Sequence, residues 1–305
     1  MAKKKITPLS QNGRDITPQE IENIQEMLDM FWRLSRTELA QTICENMGWF
    51  SASGKNKADA CIKLLEKLEE QGIVKLPEKH FTSKSGTEKT VEITAITAPP
   101  SEDIKSRLND LGTICLEVVK KKNDADLWKE YVMRYHYLGY KKPFGCYIRY
   151  FVKSDRGILG CILFSGSSRN VSVREEWIGW TEKQRFRNHG WVINNSRFLI
   201  FPWVKVPYLA SHLLSLVEKQ IVQDWKERWE YSPVLMETFV DPKKFRGTCY
   251  KAANWEYIGM TSGEGLVLKG KKYTTSPKKI FVRPLVKNFR DILCSEEKQP
   301  DYNAD

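Results

Sequence analysis

Two carboxylates, Glu237 and Asp241, are the first candidates for chemistry in this chain. They lie in the run Val234-Leu235-Met236-Glu237-Thr238-Phe239-Val240, closed by Asp241-Pro242. The run reads as a strand, because β-branched and aromatic residues dominate it and a proline that cannot donate to a ladder follows. Strand alternation puts Leu235, Glu237, Phe239 and Asp241 on one face and Val234, Met236, Thr238 and Val240 on the other. Two acids four residues apart on one face can hold Mg²⁺ and support phosphodiester chemistry. Such sites usually add a third acid or a histidine, and Glu175 and Glu176 are the candidates. His136 and His212 have no partners at ligand spacing and read as structural, and Asp241 also reads simply as a turn residue before Pro242. No metal ligand set and no cofactor is assigned.

The elements that must position these acids follow from local pattern. Phe245 to Ala253 reads as a short helix, with Phe245, Cys249 and Ala252/Ala253 at helical spacing. Asn254 then stands where a C-cap needs a left-handed residue. Trp255 to Gly259 starts the next strand, which leaves Tyr250 near the open end of a strand–helix–strand unit. Upstream, a helix from Asp126 to near Tyr137 precedes strands Tyr147–Val152 and Ile158–Phe164, joined by a turn over Ser154–Gly157. Ser196–Val204 reads as a buried strand, Tyr208–Trp225 as a long helix, and Ile280–Val282 as a closing strand. Asn194, Asn195 and Arg197 fall beside the acids if a site exists, and Arg197 is also a nucleic-acid-binding candidate.

Between these elements, Arg169 to Asn195 is the least regular stretch, and aromatic and basic residues interleave there. Aromatic faces can stack on bases while Arg169, Arg185 and Arg187 hold phosphates, so a strand-binding surface is one reading. The other is that the tryptophans cover the domain's own sheet.

The first hundred residues have a different pattern. After a basic, polar lead-in over residues 1–16, Thr17-Pro18-Gln19-Glu20 and Ser35-Arg36-Thr37-Glu38 both read as capping boxes opening helices. Lys57–Gln71 is a third helix, and Ile73–Leu76 and Val91–Ile96 read as two strands around a polar tip, Lys79–Lys89. Three helices and a hairpin is the order of a winged helix-turn-helix, whose third helix would present Lys55, Lys57, Lys63 and Lys67 to a DNA groove or to a protein. Pro99-Pro100 reads as the linker, followed by a helix over Ile104–Val119. The expected units are residues 1–16, 17–98, 99–124, 125–290 and an acidic tail over 291–305.

Composition bounds the function. The net charge of +11 is unevenly spread: residues 1–100 hold 14 basic and 14 acidic side chains, and residues 101–305 hold 35 and 24. The surplus in the second part points to an anionic partner, nucleic acid before membrane. Seven cysteines with no CxxC pair argue against a disulfide framework and a zinc site. The basic start is followed by polar residues, not by an apolar stretch, and no apolar run reaches membrane-spanning length, so a cytoplasmic protein is expected.

Tyr250-Lys251-Ala252-Ala253-Asn254-Trp255 resembles the Tyr-x-x-x-Gly-Phe segment of the GNAT N-acetyltransferase fold, with Asn in the Gly position. ETFVDPKKFRGTCYKAANW and NNSRFLIFPWVKVPYLASHLL resemble the DruA family of the bacterial Druantia anti-phage system, as do YHYLGY, GILGCILFSGSSR and EEWIGWT. The resemblance implies a GNAT-like domain, and with the element order of the first hundred residues the expected chain is α+β, a winged-helix-like domain preceding the GNAT-like one. It also implies a component of an antiviral defence system that engages DNA or partner defence proteins. Two enzymatic alternatives stay open: a nickase- or transposase-like enzyme using Glu237 and Asp241, or a divergent acyltransferase with Tyr250 as general acid. Against the latter, Pro202-Trp203-Val204-Lys205-Val206-Pro207-Tyr208 replaces the glycine-rich loop that would cradle a pyrophosphate.

Overall fold

Helix formation begins at the caps. Thr17 and Ser35 each accept from the backbone N–H three residues on, while Glu20 and Glu38 reach back to the cap, so both boxes close. They open α1 (Pro18–Met30) and α2 (Arg36–Met47), and α3 (Ala58–Glu70) follows. Ile21, Ile24, Leu39, Ile43, Leu64 and Leu68 are buried between these helices. The computed structural model describes residues 9–11, 13–78, 91–143, 145–168, 171–263 and 276–297. The expected tip Lys79–Lys89 and Arg169 lie outside them, as does the tail from residue 298.

The strands expected after α3 do not form. Residues 73–78 are irregular: Ile73 N–H returns to Leu68 O at 2.9 Å and Leu76 N–H to the Glu69 carboxylate at 3.0 Å, so the backbone bonds the helix end instead of a ladder. Residues 91–94 run without regular structure into a 3-10 turn, Ala95–Thr97, whose Thr94 and Thr97 hydroxyls donate to Glu130. The hairpin of this region lies instead in the polar lead-in, as β1 (Leu9–Gln11) and β2 (Arg14–Ile16), turning at Gly13 and burying Ile16.

The helix expected over Ile104–Val119 is also replaced. Its residues form β3 (Ile104–Lys105), a 3-10 turn (Leu108–Leu111) and β4 (Cys115–Val118). Gly112, at φ 71° with the Asp155 side chain where a Cβ would stand, interrupts any helix, and the following β-branched residues favour a strand.

After α4 (Lys122–Tyr135) come β5 (Tyr147–Ser154) and β6 (Gly157–Gly166), then α5 (Ser172–Ile178), α6 (Glu182–Asn188) and a 3-10 turn (His189–Trp191). The chain continues through β7 (Val192–Ile200), β8 (Val204–Lys205), α7 (Leu209–Trp229), β9 (Leu235–Val240) and α8 (Thr248–Ala252). It ends in β10 (Glu256–Met260), β11 (Lys279–Pro284) and α9 (Phe289–Leu293). The stretch expected to be irregular thus holds two helices, the second opened by a Thr181–Gln184 capping box.

Seven strands make one sheet in the order β10-β11-β9-β7-β6-β5-β4, antiparallel except between β7 and β9. That parallel pairing covers Val192–Asn194 against Leu235–Glu237 and stops there, although both strands run on, so the sheet opens at Asn194 and Glu237. Helix α1 and the turn that follows it pack on this domain. Arg187 of α6 holds Glu26 of α1 with two guanidinium nitrogens, Arg33 holds Glu230, and Phe31 meets Tyr231 edge-on at 6.0 Å. β8 pairs in parallel with β3, and Ile104 N–H donates to Trp203 O at 2.8 Å, which pins the loop before α7.

Candidate functional site

The opening between β7 and β9 brings together several of the residues singled out above. Glu237 faces α5, where Arg174 Nη1 donates to its Oε2 at 2.8 Å and Ser168 N–H donates to its Oε1 at 3.2 Å. Both side chains of this ion pair are fully buried. Arg174 also bonds Glu175 at 2.7 Å and lies over the Trp180 ring, whose Nε1–H donates to Glu175. Burial pushes the Glu237 carboxyl above its ordinary range, and the guanidinium of Arg174 pulls it part of the way back. The acid that breaks the apolar pattern of β9 therefore has an internal counter-ion, delivered by a helix 63 residues earlier. Sequence reasoning did not pair Arg174 with it, and no spacing rule connects residues so far apart.

Asp241 is held differently. Its carboxylate takes Lys278 Nζ at 2.7 Å and Lys243 N–H at 3.0 Å, and these partners hold it below the usual carboxylate range. Its carbonyl accepts from the N–H groups of Lys244 and Phe245, as in a turn. Four residues of strand separate the Glu237 and Asp241 backbones by about 13 Å, and their side chains turn to different partners. Among the described residues, no group of three His, Cys, Asp or Glu side chains is arranged to hold a metal ion. Glu176 is exposed.

Tyr250 closes the opening from below. Its hydroxyl donates to Asn195 Oδ1 at 2.9 Å, and Asn195 Nδ2 donates to the carbonyls of Leu163 and Arg197, filling the bulge between β6 and β7. Thr238 Oγ1 bridges to Asn195 O at 3.0 Å. The ring stacks on Phe281 at 5.6 Å and meets Trp255 edge-on at 5.2 Å, and burial pushes the phenol well above its ordinary range. Asn194 stands opposite Glu237 in the parallel register.

The basic candidates are dispersed. Lys55 lies in the turn before α3, Lys57 just ahead of that helix, and Lys63 and Lys67 on its exposed face, where Lys67 Nζ donates to Gln11 at 2.7 Å. Glu66 and Glu70 share that face. Arg185 pairs with Glu182 at 3.3 Å, Arg187 holds Glu26, and Arg197 donates to Gly139 O at 2.9 Å. Trp177 stacks on Phe289 at 5.3 Å, while Trp180 and Trp191 are buried. These tryptophans pack on their own chain.

The helix expected from Phe245 begins only at Thr248. Gly247 takes φ 79°, and a Cβ there would lie 2.6 Å from the Phe281 ring, so the chain turns before α8 and carries Phe245 outward. Phe245 is 53% exposed.

Fold and centre together define an α+β protein with an open mixed sheet; Glu237, Asp241 and Tyr250 are paired within the chain, while Asn194 Oδ1 is buried with no hydrogen-bond partner among the described residues. The chain belongs to the DruA family: the model described as Druantia protein DruA matches residues 67–269. It is a component of a Druantia anti-phage defence system, and that membership implies other defence proteins as partners. Solved structures similar to part of the chain include three acyl-transfer proteins. Aminoglycoside acetyltransferase AAC(6')-Ib with coenzyme A and kanamycin is 13% identical, with TM-score 0.35, covering 56% of this chain and 95% of that one. FeeM, an N-acyl amino acid synthase from uncultured soil microbes, is 14% identical, with TM-score 0.35, covering 57% and 90%. A GNAT-family acetyltransferase from Bacillus cereus ATCC 10987 is 12% identical, with TM-score 0.32, covering 58% and 100%. At these scores the likeness is remote. No protein of curated function matches the chain. Among the described residues, no helix is long and apolar enough to cross a membrane.

Proposed function

We propose that this chain serves the Druantia system as a nucleic-acid-binding component, with DNA as its ligand, and that Glu237 and Tyr250 maintain the fold. The observation that carries the reading is the charge distribution: 35 basic against 24 acidic side chains over residues 101–305, beside an even balance over residues 1–100. A surplus on the part of the chain that folds as the large sheet gives a field that draws a polyanion. Support also comes from the internal bonding of the candidate catalytic groups. A carboxylate with a buried guanidinium, and a phenol already donating to an amide, have little freedom to serve a substrate.

Purified protein titrated with labelled single- and double-stranded DNA, with and without Mg²⁺, tests this. Binding without Mg²⁺, falling steeply as salt rises, is expected, because each neutralised phosphate releases counterion. Absence of binding at low salt overturns the reading, and Mg²⁺-dependent cutting that Glu237→Gln abolishes restores the enzyme.

A further inference from the structure

We infer that the loop after β9, together with the loop after α4, forms a base-stacking surface for single-stranded nucleic acid. This rests on the nucleic-acid reading above and adds the place and the strandedness.

Two large rings face solvent there. Tyr137, 39% exposed, and Phe245 come from segments more than a hundred residues apart, and their centroids lie 5.5 Å from each other. Each is displaced from the core for a visible reason. Phe245 precedes the left-handed Gly247 that lets the chain pass over Phe281. Tyr137 follows the end of α4 and stacks on His136 at 4.9 Å, which fixes the plane of its ring. The pair is therefore a held, angled apolar platform, its rings tilted 59° to each other, and burial is not what explains its composition.

The charge around the platform selects the occupant. Phe245 is flanked in sequence by Lys243, Lys244 and Arg246, all exposed, and Lys244 Nζ lies 5.3 Å from the Tyr137 centroid. The nearby acid, Asp241, is neutralised by Lys278. Flat rings among cations match a ligand that presents flat bases on a phosphate backbone. A protein partner fits less well, because lysine is depleted from protein–protein interfaces while this loop carries two beside its aromatic residue. Bases in a duplex are already stacked on each other, so rings that stand on a surface can stack only on unpaired ones. That argues for a single strand.

The test is fluorescence anisotropy with the full chain and a labelled oligothymidylate of about 16 nucleotides, a single-strand site size. Phe245→Ala should leave the melting temperature unchanged and weaken binding about 5- to 150-fold, the range for losing one base stack. An abasic oligomer should bind the parent and Phe245→Ala equally, and Lys243→Ala/Lys244→Ala should weaken both oligomers and flatten the salt dependence. An oligouridylate in the same titration separates RNA from DNA, and Phe245 dependence with either sustains the inference. If the parent binds DNA and Phe245→Ala binds equally well, the platform is rejected and the broader reading stands. If the parent binds no nucleic acid, both fall.

Discussion

Replacing Glu237 by glutamine separates a structural carboxylate from a catalytic one. The parent places a carboxylate and a guanidinium, both fully buried, 2.8 Å apart. Removing one partner of such a pair costs about 3–5 kcal/mol, because the other charge stays buried. Glutamine keeps one of the two accepting oxygens, enough for Arg174 but not for Ser168 N–H as well, and Glu175 still bonds the guanidinium. The low end, about 3 kcal/mol, is therefore expected for Glu237→Gln. Among the described residues, Arg174→Ala leaves the carboxylate with Ser168 N–H alone, and it empties the space of a fully buried side chain, so about 5 kcal/mol is expected. At about 2–4 °C of melting temperature per kcal/mol, Glu237→Gln should melt roughly 6–12 °C below the parent.

Thermal and urea melts of the purified variants read this directly, and a double variant closes the cycle. Arg174→Met/Glu237→Leu replaces both charges with apolar groups and should recover much of the loss of either single change, since a buried pair is often no better than apolar packing. Phage protection by Glu237→Gln should return at growth temperatures well below its melting point, because the folded protein is competent. A Glu237→Gln protein that melts with the parent yet fails to protect at any temperature would refute the structural assignment and return Glu237 to catalysis.

Tyr250→Phe removes the hydroxyl that donates to Asn195 and should cost about 1 kcal/mol with phage protection intact; lost protection at an unchanged melting temperature would mark the phenol as a working acid. His136 is held neutral, its imidazole pulled down to about 4 by burial and then by Arg197, with Nδ1 accepting from Leu138 N–H. Because the unfolded chain takes up that proton first, near pH 6.5, stability present above that pH should fall by on the order of 2 kcal/mol toward pH 4, after allowance for partial exposure. His136→Asn should flatten that span of the pH–stability curve, and an unaltered curve rejects the assignment. The proposed boundary at Pro99-Pro100 predicts limited proteolysis within residues 98–103, an exposed stretch between Thr97, bonded to Glu130, and Ile104, paired with Val204. A stable fragment that spans it uncut, with cuts elsewhere, counts against two units.

What the sequence made legible was whatever is decided locally. Both N-terminal capping boxes close because their four residues contain every atom of the motif. Asn254 takes φ 60° at the end of α8 for the same reason. Errors fall where a group outside the segment decides. The apolar spacing of Ile104–Val119 suits a helix, but Asp155 packs against Gly112 and β5 offers a partner edge, and neither is visible within the segment. Ile73–Leu76 is rich enough in β-branched residues for a strand, but Glu69 and Leu68 take its N–H groups first. Tertiary contacts in the first case, and bonds to the end of the preceding helix in the second, overrode a propensity worth only tenths of a kcal/mol per residue.

The central residues show the same division, and two of them break the apolar pattern in opposite directions. Glu237 is an acid inside, and Phe245 is an aromatic ring outside. An acid inside is an anomaly only until its counter-ion is found. Arg174 supplies that counter-ion, so the burial of Glu237 calls for no ligand. Among the described residues, no internal contact resolves Phe245 in the same way. It meets Tyr137, which is exposed as well, and both remain open to solvent with Lys244 Nζ over the Tyr137 ring. A chain that gained nothing from these rings would lose no core contact by carrying polar residues there. The residue that looked most catalytic in the sequence is thus the one the fold explains, and a residue read only as one position of a short helix is the one that points to a ligand.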